Sequence, residues 1–293
     1  MANVAIVGPG GVGGLVGALL ARAGHDVLYV ARPETAARLN AGGIEVHSVR
    51  FGNFTVPAAA VEALGSPVDL CVVATKATTL PDALQRVPAG GADLILPLLN
   101  GVDHMGVLRE RYPAARVVAG SIRVESTRTA PGRIEHTSQF CLVEVAGDGA
   151  ETVAALLGGA GLDVAVRDSE SELLWDKLSM LAPLALITTA ARAGVGTARE
   201  MRRDDLVDIV AEVAALARAN GCRTDQEAVL GLVDQIPAPM KSSMLRDAEA
   251  GRPLELDAIG GAILRAGKTL GIPTPATERV VTELRQRDNA ASH

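Results

Sequence analysis

Aromatic side chains are almost missing from this chain. One tryptophan, two tyrosines and three phenylalanines among 293 residues imply an aliphatic core and leave few flat rings on which nucleic-acid bases could stack. Cysteine is scarce as well. Cys71, Cys141 and Cys222 stand far apart, outside any C-x-x-C pair or Cys/His cluster, and are expected to be buried, reduced thiols of a cytoplasmic protein. The five histidines (His25, His47, His104, His136, His293) lack metal-ligand spacing, so no metal site is expected. A net charge of −6 argues against a general polyanion binder while leaving room for a local basic pocket. No uninterrupted apolar run is long enough to span a bilayer, and the first apolar stretch is broken at once by glycine, unlike a signal peptide. Neither nucleic acid nor membrane is expected as a partner. The last four residues, Ala-Ala-Ser-His, read as a frayed tail.

What the chain does contain is glycine in one informative place. Asn3-Val4-Ala5-Ile6-Val7 reads as a buried strand, runs straight into Gly8-Pro9-Gly10-Gly11-Val12-Gly13, and is followed by helical residues from Leu15 to Ala23. Strand, G-x-G-x-x-G turn and helix in that order form the dinucleotide fingerprint. The first glycine permits the turn, the second admits a pyrophosphate against the backbone, and the third lets helix and strand pack closely. Phosphates then meet amide hydrogens at the positive end of the helix. A second strand, Asp26 to Ala31, ends in Arg32. An acidic residue usually stands there when a ribose 2′-hydroxyl is read, whereas arginine can pair with a 2′-phosphate. The expected cofactor is NADP(H).

Two periodicities divide the chain. Up to residue 167, strands alternate with helices or loops in the βαβ rhythm of a doubly wound sheet. Expected strands are Ile44 to His47, Val68 to Ala74, Leu94 to Leu98, Arg116 to Val124, Arg133 to His136, Cys141 to Val145 and Leu162 to Val166, with helices at Thr79 to Arg86 and Glu151 to Leu157. Thr129-Ala130-Pro131-Gly132 suggests an appended hairpin. From residue 168 the pattern is helical. Ser169-Glu170-Ser171-Glu172 could be a capping box, and helices over Asp204 to Asn220, Met240 to Ala250 and Leu256 to Leu270 each stop at a glycine where a left-handed cap would fall. The expected architecture is α/β: a Rossmann-type doubly wound sheet over residues 1–167, then an all-helical domain over 168–293.

Several ionisable and polar residues could carry chemistry. Lys177 shares a helical face with Leu173, Leu174, Leu181 and Leu184. Its ammonium either snorkels to solvent or sits in a cleft, where it could hydrogen-bond a carbonyl oxygen and donate a proton. Glu255, at a loop entering a helix, either favours that helix N-terminus or faces the cleft. Ser242 and Ser243, inside an expected helix, are solvated hydroxyls or substrate donors. Lys76 and Asn100 follow apolar strands at the carboxyl edge, where open α/β sheets bind ligands.

These pieces together resemble the ketopantoate reductase (2-dehydropantoate 2-reductase) family over essentially the whole chain. The matching stretches are Gly8 to Gly13, Arg32, Thr75-Lys76-Ala77, Asn100-Gly101, Ala130-Pro131-Gly132, Leu174-Trp175-Asp176-Lys177-Leu178, Ser242-Ser243-Met244-Leu245-Arg246-Asp247 and Glu255-Leu256-Asp257. The resemblance implies NADPH-dependent reduction of a 2-oxo acid to a 2-hydroxy acid, of the ketopantoate-to-pantoate type that serves pantothenate biosynthesis. It casts Lys177 as general acid and Glu255 as the carboxylate that organises it. It casts Asn100 and Ser243 as contacts to cofactor or substrate, and Arg32 and Lys76 as cofactor contacts. The family usually carries asparagines four and eight residues after the lysine. Here Leu181 and Ala185 occupy those substrate-binding positions, which removes hydrogen-bonding groups on which substrate discrimination depends. The alternatives are therefore a paralogue reducing a less polar ketone, or a non-catalytic NADP(H)-binding sensor. Glu125 is expected near the domain boundary, in a stretch where a smaller residue would be usual. The helical half offers surfaces for a homodimer.

Overall fold

The computed structural model describes the backbone of residues 1–291 and the side chains of residues 1–288; Ser292 and His293, part of the expected frayed tail, lie outside the described residues. Two compact units make up the chain. Met1–Leu99 and His104–Leu173 form the first, while Asn100–Asp103 joins the residues from Leu174 onward in the second. The division thus falls six residues later than the sequence suggests, within the helix Glu170–Ala191. The first turn of that helix belongs to the α/β unit because Glu170 accepts two bonds from Arg109, at 2.8 and 2.6 Å, and Leu173 is fully buried. The capping expectation holds at its start, where the Ser169 hydroxyl accepts from the Glu172 N–H at 3.2 Å.

Apolar strands build a six-stranded parallel sheet in the first unit. Its spatial order is Ala59–Val61, Asp26–Val30, Asn3–Val7, Val68–Val73, Ala92–Pro97 and Arg116–Val117. In chain order that is 3-2-1-4-5-6, the Rossmann arrangement. The order reverses between Asn3–Val7 and Val68–Val73, which pair from Val4–Leu70 to Val7–Val73. Leu70 to Val73 are at most 1% exposed, as a strand covered on both faces requires.

Not every expected strand joins this sheet. Arg116 to Val124 breaks at Val118: Arg116–Val117 is the last parallel strand, and Ala119–Arg123 pairs antiparallel with Leu142–Ala146, which pairs parallel with Asp163–Arg167. Glu144 sits at the centre of that three-stranded sheet, buried, and accepts from Arg123 and from Arg167, the latter at 2.7 Å. Ile44–Ser48 belongs to a four-stranded sheet with Phe54–Val56, Arg133–His136 and Ser126–Ala130. The expected hairpin is the last pair of these, antiparallel around Pro131 and Gly132. Glu125 links two strands inside the first unit and accepts from the Thr137 hydroxyl at 3.3 Å. Burial pushes the Cys71 thiol up to about 12 and the Cys141 thiol up to about 11, so neither is a thiolate near neutrality.

The second unit is helical: the remainder of Glu170–Ala191, then Val195–Met201, Arg203–Ala219, Gln226–Gln235, Ser243–Glu249, a π-helical turn Asp257–Gly261 leading into Ala262–Leu270, and Pro275–Ala291. The helical spacing of Leu206, Ile209, Val210, Val213, Leu216 and Ala217 does place all six in the core, at most 1% exposed. Gly221, Gly251 and Gly271 adopt positive φ at the expected helix ends. By length and composition Glu170–Ala191 could cross a membrane, but 78% of its most apolar window is buried in the fold, so core packing accounts for its hydrophobicity.

Tyr29 carries a buried hydroxyl with no hydrogen-bond partner among the described residues, and its ring fills the space beside Gly17. An unsatisfied hydroxyl contributes no net stability. Tyr29→Phe is therefore expected to leave denaturant stability unchanged or raised by up to about 1 kcal/mol; a loss beyond about 2 kcal/mol would mean that the hydroxyl is bound.

Candidate active site

The glycine turn lies where the parallel sheet changes direction. Gly8 ends the first strand at φ +90° and donates to the Val30 carbonyl at 3.2 Å. Its neighbour across the switch is Thr75, whose Cγ2 lies 2.7 Å from where a Gly8 Cβ would stand. The helix Gly11–Arg22 then starts with no side-chain cap and no acidic residue in its first turn, leaving its leading amides open to an anion. A Cβ on Gly13 would lie 2.3 Å from the Gly8 carbonyl oxygen, whereas one on Gly10 would meet no protein atom within 4 Å. Close packing on one side and open space on the other are what a pyrophosphate cradle needs. The Thr75 hydroxyl beside it is buried without a partner among the described residues, a polar atom a ligand could satisfy. Pro9 and Val12 complete the turn.

Arg32 is exposed at the end of the second strand and caps the helix Pro33–Gly42 through its backbone. Lys76 is half-buried just past the fourth strand of the sheet, and its carbonyl accepts from the Thr79 amide and hydroxyl. Both stand at carboxyl ends of strands flanking the cradle, so these residues fit a phosphorylated dinucleotide. No cluster of three or more His, Cys, Asp or Glu side chains suited to a metal occurs among the described residues.

The second unit gathers the other candidates. Glu255 immediately precedes the turn of helix at Leu256, is 6% exposed, and accepts from the Asn100 side-chain amide at 3.1 Å. Two residues 155 positions apart are thus brought into contact. Lys177 is half-buried on the long helix, with Leu181, also half-buried, one turn further on. Ala185 is fully buried in the helical core.

The two serines separate cleanly. The helix begins at Ser243, not at Met240, because Ser242 is its N-cap. The Ser242 hydroxyl accepts from the Leu245 N–H at 3.1 Å and lies 2.7 Å from the Thr188 hydroxyl. Thr188 itself donates to the Leu184 carbonyl at 2.6 Å, so Ser242 is committed to structure. Ser243 is exposed in the first turn, which leaves it the serine available to a ligand.

Comparison with known proteins gives this arrangement a family. The model for ketopantoate reductase PanE/ApbA matches residues 4–143, and that for its C-terminal domain matches residues 171–288. A 2-dehydropantoate 2-reductase of Mycobacterium tuberculosis is 31% identical, the match covering 95% of each chain. The chain belongs to the ketopantoate reductase family. It is accordingly an oxidoreductase of the 2-dehydropantoate 2-reductase-like class, with a nicotinamide cofactor. A ketopantoate reductase structure from Ralstonia eutropha JMP134 superposes with a TM-score of 0.90 at 27% identity, covering 99% of this chain and 100% of that one. D-mandelate dehydrogenase with NADH and anilino(oxo)acetate shares the fold, with a TM-score of 0.88 at 23% identity over 99% and 100% of the two chains.

Sequence reasoning missed Thr188, which pairs with Ser242, and Asp103 and Arg265, which bond each other near Asn100 and Glu255 in the chain. For Thr188 and Arg265 the only hint was polarity within largely apolar helical stretches, and Asp103, in the turn before the helix His104–Arg111, carried none.

The serine assignment is testable by paired substitution. Ser242→Ala removes an N-cap and a buried hydroxyl pair and is expected to cost about 1–2 kcal/mol in urea unfolding, while Ser243→Ala costs less than about 0.5 kcal/mol. Equal losses would put the cap elsewhere.

Proposed function

We propose that this protein reduces a 2-oxo acid to a 2-hydroxy acid with NADPH, in the manner of ketopantoate to pantoate. The observation that carries this reading is the buried Glu255 carboxylate bound by the Asn100 amide, in the unit that also bears Lys177. The cofactor supplies a hydride equivalent to the carbonyl carbon. Lys177 hydrogen-bonds the carbonyl oxygen, stabilises the charge that develops there and delivers the proton that completes the hydroxyl. Glu255 orients the ammonium. Asn100 and Ser243 donate hydrogen bonds to the ligand, and Lys76 contacts the cofactor.

NADP(H) rather than NAD(H) is favoured by Arg32, since no carboxylate stands at that position to receive a ribose 2′-hydroxyl and the exposed guanidinium suits a 2′-phosphate. A cytoplasmic homodimer completes the reading, with its stoichiometry open to light scattering.

A second reading concerns the substrate. Leu181 and the fully buried Ala185 leave the face beyond Lys177 apolar, which favours a ketone with a less polar side chain than ketopantoate. The fold itself is compatible with either, since it also serves a D-mandelate dehydrogenase.

NADPH oxidation followed by the absorbance of the reduced nicotinamide is the primary assay. Lys177→Ala is expected to lower kcat by about 10²–10⁴-fold while NADPH binding, read by fluorescence, persists. Undiminished turnover would remove Lys177 from the chemistry. Arg32→Ala should raise KM for NADPH roughly 10–100-fold with little change for NADH; parallel changes for both would reject 2′-phosphate recognition. Across 2-oxo acids, a kcat/KM at least about tenfold higher for apolar side chains than for ketopantoate would decide for the second reading. Tight NADPH binding with no turnover on any of them would point to a sensor.

A further inference from the structure

One guanidinium touches both pieces of chain that meet at Asn100 and Glu255. Arg265 lies on the helix Ala262–Leu270, beyond the π-helical turn that starts two residues after Glu255. Its Nε and Nη2 donate to Asp103 Oδ2 at 3.1 and 2.7 Å. Its Nη1 donates to Asp257 Oδ1 at 3.0 Å, and Nη2 also donates to the Asp257 carbonyl at 2.8 Å. Asp103 is three residues from Asn100, and Asp257 is two from Glu255.

The surrounding backbone is shaped to this contact. Gly101 adopts φ +87°, and a Cβ there would lie 2.3 Å from the Ala258 carbonyl oxygen, so the segment 100–103 presses on the π-helical turn without a side chain between. A Cβ on Gly261 would lie 2.5 Å from Asp257 Oδ1 and 3.0 Å from Arg265 Nη1, so that glycine leaves room for the fork. The turn is itself a local widening of the helix of the kind found at functional sites.

We infer that Arg265 is a positioning residue: by binding Asp103 and the turn at Asp257 together, it holds the Asn100 amide on the Glu255 carboxylate. The inference rests on the proposed reading of Asn100 and Glu255 as ligand-facing groups. Arg265 and Asp103 are each 48% exposed as side chains, and exposed ion pairs add little to global stability. The contribution of the fork is therefore to geometry, and the variant without it is expected to fold. Lysine lacks the planar fork and cannot reproduce four bonds to three acceptor atoms.

The test combines Arg265→Met, Arg265→Lys, Asn100→Ala, the Arg265→Met/Asn100→Ala double variant, and Arg279→Met as a control for loss of another exposed arginine, one paired with the partly buried Asp205. Turnover of ketopantoate with NADPH and amide hydrogen exchange over residues 101–103 are read in parallel. Arg265→Met should lower kcat about tenfold with KM for NADPH unchanged, and Arg265→Lys should recover part of that loss. In the Asn100→Ala background the same change should cost less than about twofold. Exchange at residues 101–103 should rise about tenfold in Arg265→Met and stay unchanged in Arg279→Met. Equal losses of kcat in both backgrounds, or unchanged exchange in Arg265→Met, would overturn the inference. Exchange needs no turnover, so if the wild-type chain reduces none of the 2-oxo acids, the functional reading fails while exchange still decides whether Arg265 holds the segment.

Discussion

The structure depends first on how closely the helix Gly11–Arg22 lies against what surrounds it. Side chains at Gly11, Gly13, Gly14 and Gly17 would run into the Ser126 backbone, the Gly8 carbonyl, Ile134 and the Tyr29 ring respectively. A helix with glycine at these positions sacrifices intrinsic helix propensity, and burial of Leu15, Val16, Leu19 and Leu20 at zero exposure offsets that cost. The close approach brings the open amides of the first turn to the carboxyl edge of the parallel sheet. It also lets the four-stranded sheet, through Ser126 and Ile134, cover the other side of the helix. Cofactor cradle and core packing are therefore one constraint.

A different problem is solved in the helical unit. Its core is aliphatic, so each polar group drawn into it must find a partner or cost stability. Glu212 accepts from the Ala276 and Thr277 amides and from the Thr277 hydroxyl, seating the start of Pro275–Ala291. Ser242 and Thr188 satisfy each other across two helices. Glu255 meets Asn100. The first two pairings fix helices; the third holds a carboxylate ready beside the proposed chemistry. The same rule of satisfaction thus produces both scaffold and site, and only the exposure of the neighbouring groups tells them apart.

Much of this was legible from residue order. The parallel strands near the N-terminus, the glycine turn, the appended hairpin and the glycine-terminated helices follow from periodicity and backbone preference, which act over a few residues. The short strand Ala59–Val61 was not legible, because three residues carry no period. The sheet membership of Ile44–Ser48 was equally hidden: an alternating strand looks the same whichever sheet accepts it. The split of Arg116 to Val124 between two sheets arises from partners at Ile95 and Ala146, far away in the chain.

The sequence by itself determined the kind of cofactor fold, the helical character of the second half and the list of chemically able residues, since each rests on local spacing. Only the tertiary structure decided which of them come together. It chose Ser243 over Ser242 as the available hydroxyl by assigning Ser242 to a cap, moved the division of the chain into the long helix through the Arg109–Glu170 contact, and set Asn100 on Glu255 with Arg265 binding the segments on either side. Those choices depend on hydrogen bonds between residues up to 162 positions apart, and geometry at that separation is fixed by packing, which no local pattern encodes.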